Sequence, residues 1–328
     1  MKIRKLAASA VLAFMAAGSA GAAELNFANF MAPTNPYEAG AFQPFAAMVA
    51  EMTGGEVTVR VRSGGELGAG PVEQYNRALD GVADLAIGLP GYTASTFPIT
   101  LLSELPGVLT EDTGTETLWN NIDLFADEYR RVELIGLWSN AENVLYMRGD
   151  AVRTPADIAG KKIRVPSRNA GLIVESWGGS PVSMPVSEIY NALQTGVIDG
   201  AMIDGTATDA FKLGEVADSL TFGMNTTISP FFIVMNRDSF DALTPEQQTA
   251  IKEAGRQASR LANTTQIDAG RAGIIGFGNL EGKELIELTA DEAKAFDDLS
   301  ASVLAQVVDE STAAGLPAQD VIDALMAQ

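Results

Sequence analysis

The sequence predicts an α/β fold of two lobes, each with its own core, and three observations predict it. Short runs rich in β-branched and aromatic residues alternate with helical runs over the first two thirds of the chain. A helix–Gly–strand unit occurs twice. Pro71-Val-Glu-Gln-Tyr-Asn-Arg-Ala-Leu-Asp-Gly81 resembles Pro185-Val-Ser-Glu-Ile-Tyr-Asn-Ala-Leu-Gln-Thr-Gly196, and each is followed by a Val-x-Asp entry into a strand. The chain has 328 residues, more than one hydrophobic core usually organises.

The elements follow in order. Lys2, Arg4 and Lys5 precede an apolar stretch from about Leu6 to Ala17, and Ala20-Gly21-Ala22 supplies small residues for cleavage. This is the pattern of a secretory signal peptide over 1–23, too short to span a bilayer. Glu24-Leu-Asn-Phe-Ala-Asn-Phe30 reads as a first strand. Tyr37 to Met52 reads as a helix with Phe45, Met48 and Val49 on one face, stopped by Gly54-Gly55. Val57 to Arg62 alternates apolar and polar as a strand does, Pro71 to Leu79 is helical, and Asp84 to Gly88 is a strand. Together they make a βαβαβ unit.

A second round starts with strand-like runs at Glu133–Trp138 and Val144–Met147. Thr154-Pro155 opens a helical turn as N-cap and first helical residue. Gly160 to Pro166 reads as a strand and Leu172 to Trp177 as a helix ended by Gly178-Gly179. From Ser239 onward the chain reads as helices alone: a long amphipathic run from Pro245 to about Asp268, another from Thr289 to about Ala314, and a last from Leu316 to Met326.

Composition excludes several chemistries. The chain contains no Cys and no His. Disulfides, Cys/His zinc sites, thiol nucleophiles and histidine bases are therefore ruled out. No Gly-x-Ser-x-Gly elbow and no calcium-loop spacing is present, so no cofactor, metal or catalytic residue is expected. The formal charge is -20, or about -23 once the leader's cations are removed, and it is spread along the chain. Such a surface repels nucleic acid and anionic lipid, and an anionic ligand would need a local cation.

The stretch from Thr154 to Gly200 is the most specific. Gly160-Lys-Lys-Ile-Arg164-Val-Pro166-Ser167 is followed by Gly179-Ser-Pro181 and then Glu188-Ile-Tyr190-Asn-Ala-Leu-Gln194-Thr-Gly196-Val-Ile-Asp199-Gly200. This resembles the periplasmic solute-binding proteins of tripartite ATP-independent periplasmic (TRAP) transporters, the DctP-like family. Gly64-Gly65-Glu66-Leu67-Gly68, Phe97-Pro98, Asn236 and Leu243-Thr-Pro-Glu-Gln extend the likeness over nearly the whole mature chain. The resemblance implies a periplasmic binding protein fold: two α/β lobes around a cleft, joined by crossing strands and a long helix. It places lobe I at 24–141 plus 229–269 and lobe II at 142–228 plus 270–328. It also implies a periplasmic location, a small organic acid as ligand, and small and large integral membrane proteins as partners.

By the same resemblance Arg164 grips the ligand carboxylate as a fork that stays charged. Its setting between Ile163 and Val165 makes an unpaired charge costly; the structural alternative is pairing with Asp or Glu. Lys161 and Lys162 read as solvated. Against sialic-acid-binding relatives, Val144 stands where a second Arg would, Ile203 where a carboxamide would, Leu89 and Tyr92 where an acidic and a basic residue would, and Phe30 where a small polar contact would. Asn143, Arg148 and Asp204 are the neighbours that a one-residue slip would bring in. Met184, Val186 and Phe231 would line the ligand's body, though each is also an ordinary core residue, and Ser167 is a candidate extra donor. Fewer polar partners favour an aromatic or branched apolar monocarboxylate, and the resemblance implies uptake on a Na+ or H+ gradient. An enzyme acting on an organic acid, or a binding protein for an ATP-driven importer or a sensor, are the competing readings.

Overall fold

A computed structural model describes residues 23–327, so the expected leader lies outside the described residues save for Ala23. The strands are β1 (Ala23–Ala28), β2 (Val57–Arg62), β3 (Leu85–Gly88), β4 (Val132–Ser139), β5 (Val144–Met147), β6 (Lys162–Val165), β7 (Ser180–Ser183), β8 (Gly200–Ile203), β9 (Ser219–Phe222), β10 (Pro230–Asn236) and β11 (Glu284–Glu287). They form two sheets, in the orders β2-β1-β3-β10-β4 and β11-β9-β5-β8-β6-β7.

The first βαβαβ unit supplies the parallel trio β2-β1-β3, as its alternation predicts. The run Pro230–Asn236 is buried at every position. That suits its place between β3 and β4, antiparallel to both and covered on both faces. In the second sheet β6 is parallel to β7 and β8, while β5 runs against β8 and β9. The repeat seen in the sequence has a structural counterpart. Helices Gln74–Leu79 and Val186–Thr195 both end at glycines with left-handed backbone, Gly81 at φ 71° and Gly196 at φ 75°, and lead into β3 and β8.

Four expectations are corrected. The first repeat helix begins at Gln74 rather than Pro71. The helix expected at 172–177 spans Arg168–Ser176, because the Ser167 side chain caps it by accepting from Ala170 N at 3.2 Å. The C-terminal third is not all helix: Glu284–Glu287 pairs parallel with β9. The long helix runs Pro245–Gly278, well past Asp268.

That long helix starts in a capping box between Thr244 and Gln247 and crosses both sheets. It packs on β4 over its first half and on β11 and the segment after β8 over its second. Glycines permit the crossing. A Cβ at Gly255 would stand 2.0 Å from Ile135 O, and one at Gly205 would stand 2.2 Å from Gly270 O. The chain also passes between sheets from β4 to β5 and from β9 to β10. The two-lobe fold is thus joined by crossing strands and a long helix. Helix Ala290–Ala313 packs on Arg168–Ser176, and Ala318–Met326 on the turn Thr100–Glu104.

Candidate ligand-binding site

Arg164 sits on β6 with β8 on one side and β7 on the other, and its side chain is 1 % exposed. Three neutral oxygens hold it: Nε donates to Met184 O at 3.0 Å, Nη1 to Met202 O at 3.1 Å and Nη2 to Tyr92 Oη at 3.1 Å. A guanidinium has five N–H groups, so one remains on each terminal nitrogen. Burial lowers its pKa, and Tyr92 and Asp204 oppose that. A guanidinium keeps its proton through such a shift. Tyr92 Oη also accepts from Val186 N at 3.1 Å. With two bonds accepted, its own proton is the one it has to give.

Arg164 and Tyr92 line a cavity through which the centre of a water molecule can move over about 40 Å³. That is room for a few waters, or for one compact small molecule. Phe30, Leu89, Val186, Ile203, Phe211 and Phe231 form its apolar walls. Phe231 is stacked on Trp138 with ring centroids 5.6 Å apart at 17°. This fixes the ring's plane with buried aromatic surface behind it.

A second, polar wall shares no hydrogen-bond partner with Arg164. Asp204, at the end of β8, is 4 % exposed. Its Oδ1 accepts from Thr206 N at 3.0 Å, Thr206 Oγ1 at 2.5 Å and Gln266 Nε2 at 2.9 Å. Its Oδ2 accepts from Asn140 Nδ2 at 2.9 Å. Burial raises the carboxyl's pKa, and these donors counter it. Behind it, Trp138 Nε1 donates to Tyr37 Oη at 3.0 Å, which donates to Asn140 Oδ1 at 3.1 Å. Burial also pushes the Tyr37 phenol well up, so that proton stays in place.

Of the residues singled out in the sequence, Arg164, Tyr92, Phe30, Leu89, Val186, Ile203, Phe231, Asn143 and Asp204 line this cavity. Four others are placed elsewhere. Val144 pairs with Ile203 in the sheet and joins the core cluster beneath the wall. Met184 turns its carbonyl, not its side chain, to the site. Ser167 caps a helix and faces Glu104. Arg148 is exposed beyond β5, outside the cavity. Tyr37, Asn140, Phe211, Ser229 and Gln266 line the cavity without having been picked out. Gln266 carried a signal: Ser259, Asn263 and Gln266 put polar groups on the buried stripe of the long helix.

The comparisons agree with this architecture. The family described as bacterial extracellular solute-binding protein, family 7 (DctP), matches residues 27–311. The chain is similar to the 2,3-diketo-L-gulonate-binding periplasmic protein of Escherichia coli K12, with 26% identity over 91% of this chain and 92% of that one. It is also similar to a TRAP solute-binding protein of Rhodoferax ferrireducens T118 solved with copurified benzoate. That structure shares 27% identity at a TM-score of 0.87, over 93% of this chain and 96% of the other. A Bordetella bronchiseptica TRAP protein solved with mandelate has the same fold at 23% identity and a TM-score of 0.84, over 93% and 98%. The chain belongs to family 7 and is a TRAP transporter solute-binding protein of the DctP type, a protein that binds organic acids for membrane subunits and is not an enzyme. No helix among the described residues is long and apolar enough to cross a membrane.

Proposed function

We propose that this family 7 solute-binding protein, exported by cleavage of residues 1–23, captures an aromatic or branched apolar monocarboxylate in the periplasm for Na+- or H+-driven uptake. The observation that carries the reading is Arg164 itself. It is buried beside apolar walls, held by three neutral oxygens, with one N–H left on each terminal nitrogen. Two such donors match the two oxygens of a carboxylate, and Tyr92 adds a third. Phe30, Leu89, Val186, Ile203 and Phe231 favour an apolar body over a sugar's hydroxyls. Each buried hydroxyl left unpaired would cost about 1–3 kcal/mol. Asn143 stands beside them, its Nδ2 bonded to Thr227 Oγ1 at 2.8 Å.

The two lobes, 24–141 plus 229–269 and 142–228 plus 270–328, would close on the acid, because the cavity takes residues from both sheets and from the long helix. A ligand drives closure only by binding the closed form better than the open one. Isothermal titration against benzoate, branched keto acids, C4-dicarboxylates and sugar acids tests the reading. The aromatic or branched monocarboxylates should bind tightest. Preference for a dicarboxylate or a sugar acid contradicts it. Uptake by vesicles carrying the membrane subunits, under a Na+ or an H+ gradient, identifies the coupling ion.

A further inference from the structure

Resting on the reading of Arg164 as the carboxylate anchor, we propose that Asp204 selects acids that carry a second group with an O–H or N–H to donate. Each oxygen of an ionised carboxylate offers about two lone-pair sites and no proton. Asp204 Oδ1 already accepts from Thr206 N, Thr206 Oγ1 and Gln266 Nε2, whereas Oδ2, among the described residues, accepts only from Asn140 Nδ2 at 2.9 Å. One acceptor position on Oδ2 is therefore open, on a residue that lines the cavity.

The protons of Tyr37 and Gln266 in the surrounding network are committed, while Asn140 Nδ2 keeps a second N–H beyond the one it gives to Asp204. Tyr37 spends its proton on Asn140 Oδ1, which sets the amide so that Nδ2 turns to Asp204. Gln266 Nε2 uses both of its protons, one on Asp204 Oδ1 at 2.9 Å and one on Thr206 Oγ1 at 3.1 Å. At Asp204 Oδ2 the wall thus presents an acceptor to the ligand. A ligand carbonyl or ether oxygen placed there would face a carboxylate; a hydroxyl or an ammonium would complete it. Charge points the same way. A monocarboxylate beside Arg164 and Asp204 leaves one uncompensated buried negative charge, which a donor group screens. The long helix and Gly205 hold this geometry, since no side chain fits between Gly205 and Gly270 O.

The test is isothermal titration of the wild type and of Asp204→Asn with benzoate, the hydroxybenzoate isomers, their methoxy counterparts and the aminomethylbenzoates. Hydroxy and aminomethyl compounds distinguish a neutral donor from a cationic one. At least one donor-bearing isomer should bind about tenfold or more tighter than both benzoate and its methoxy counterpart. Asp204→Asn turns an acceptor into a donor at Oδ2 and should erase that advantage, while loss of the buried negative charge should let the variant bind benzoate at least as tightly as the wild type does. Equal affinity of benzoate and every donor-bearing isomer for the wild type overturns the proposal, as does an advantage that survives in Asp204→Asn. The wild-type series decides the question by itself if the variant fails to fold. Failure of benzoate and all its derivatives to bind overturns the reading of the Arg164 pocket, and this proposal with it.

Discussion

The two polar walls of the cavity are built on opposite plans. At the Arg164 wall the protein uses three of the donor's N–H groups and leaves the rest. At the Asp204 wall four donors converge on one carboxylate. The first is a charge held in position with bonding capacity to spare, so a ligand can supply the missing partner. The second is a charge almost satisfied by its own fold, so a ligand can only add to it. Affinity should therefore depend mainly on Arg164, and discrimination between similar acids on Asp204. The difference also explains why the two have separate supports. Arg164 is held by the carbonyls of Met202 on β8 and of Met184 just past β7 and by a tyrosine, Asp204 by a loop and the long helix.

The largest break in this comparison is Arg164→Ala. Removing one partner of a desolvated, hydrogen-bonded ion pair costs about 2–5 kcal/mol. Acid binding should fall by about thirtyfold or more in isothermal titration, with Arg164→Lys also strongly impaired because a point charge cannot reproduce the fork. Binding within about threefold of wild type in both variants would remove Arg164 from the site.

A third buried group gives the next test. Glu104 is 1 % exposed, and its Oε1 has no hydrogen-bond partner among the described residues. It lies where the turn Thr100–Glu104 meets the start of helix Arg168–Ser176. Burial pushes its carboxyl up to about 7, and Ser167 and Asn169 offset only part of that. An unfolded Glu titrates near 4.3, so the folded protein holds this proton through the window between the two values. The stability it contributes is fully present below about pH 4.3 and is lost as pH rises through about 7, an effect of order 3 kcal/mol. Glu104→Gln should flatten the fall in Tm between those pH values and raise Tm at pH 8. An unchanged pH profile would show that Glu104 does not titrate in that window. Asp204, by contrast, has donors on both of its oxygens.

Gly205→Ala probes the support of the second wall. Its Cβ would meet Gly270 O at 2.2 Å, so the loop or the helix must shift. Overpacking of this kind costs about 1–3 kcal/mol. Tm should drop by several degrees, and any preference set by Asp204 should weaken while binding through Arg164 persists. An unaltered Tm would mean that the crossing is looser than the backbone contact indicates. The smallest expected effect is Tyr92→Phe. It removes the phenol's donor and the acceptor for Arg164 Nη2 and Val186 N. Affinity should weaken about tenfold, read by titration, while the ligand preference order stays as it was.

The fold was largely legible because its grammar is local. Short β-rich and apolar runs marked β1 through β6, β2 by its alternation, and N-caps at Thr154, Thr244 and Thr289 mark helix starts. Glu284–Glu287 escaped because a four-residue edge strand with charged ends has no hydrophobic period of its own; its partner β9 makes it a strand. Arg164 was legible from a charged residue within an apolar strand in a recognised motif. Ser167 was misplaced because a Ser after a strand serves equally as a ligand donor or as an N-cap, and here it is the cap. The Asp204 wall was mostly invisible. Tyr37, Asn140, Asp204 and Gln266 meet only through long-range crossings, and no local pattern links residues so far apart in the chain.

The central claim is that the guanidinium of Arg164 binds the acid, and a crystal structure of the protein with its bound acid tests it most directly. Both carboxylate oxygens should lie about 3 Å from Nη1 and Nη2 of Arg164, with Tyr92 Oη donating to one of them. An acid lodged against other residues, or Arg164 turned onto a carboxylate of the protein, would contradict it.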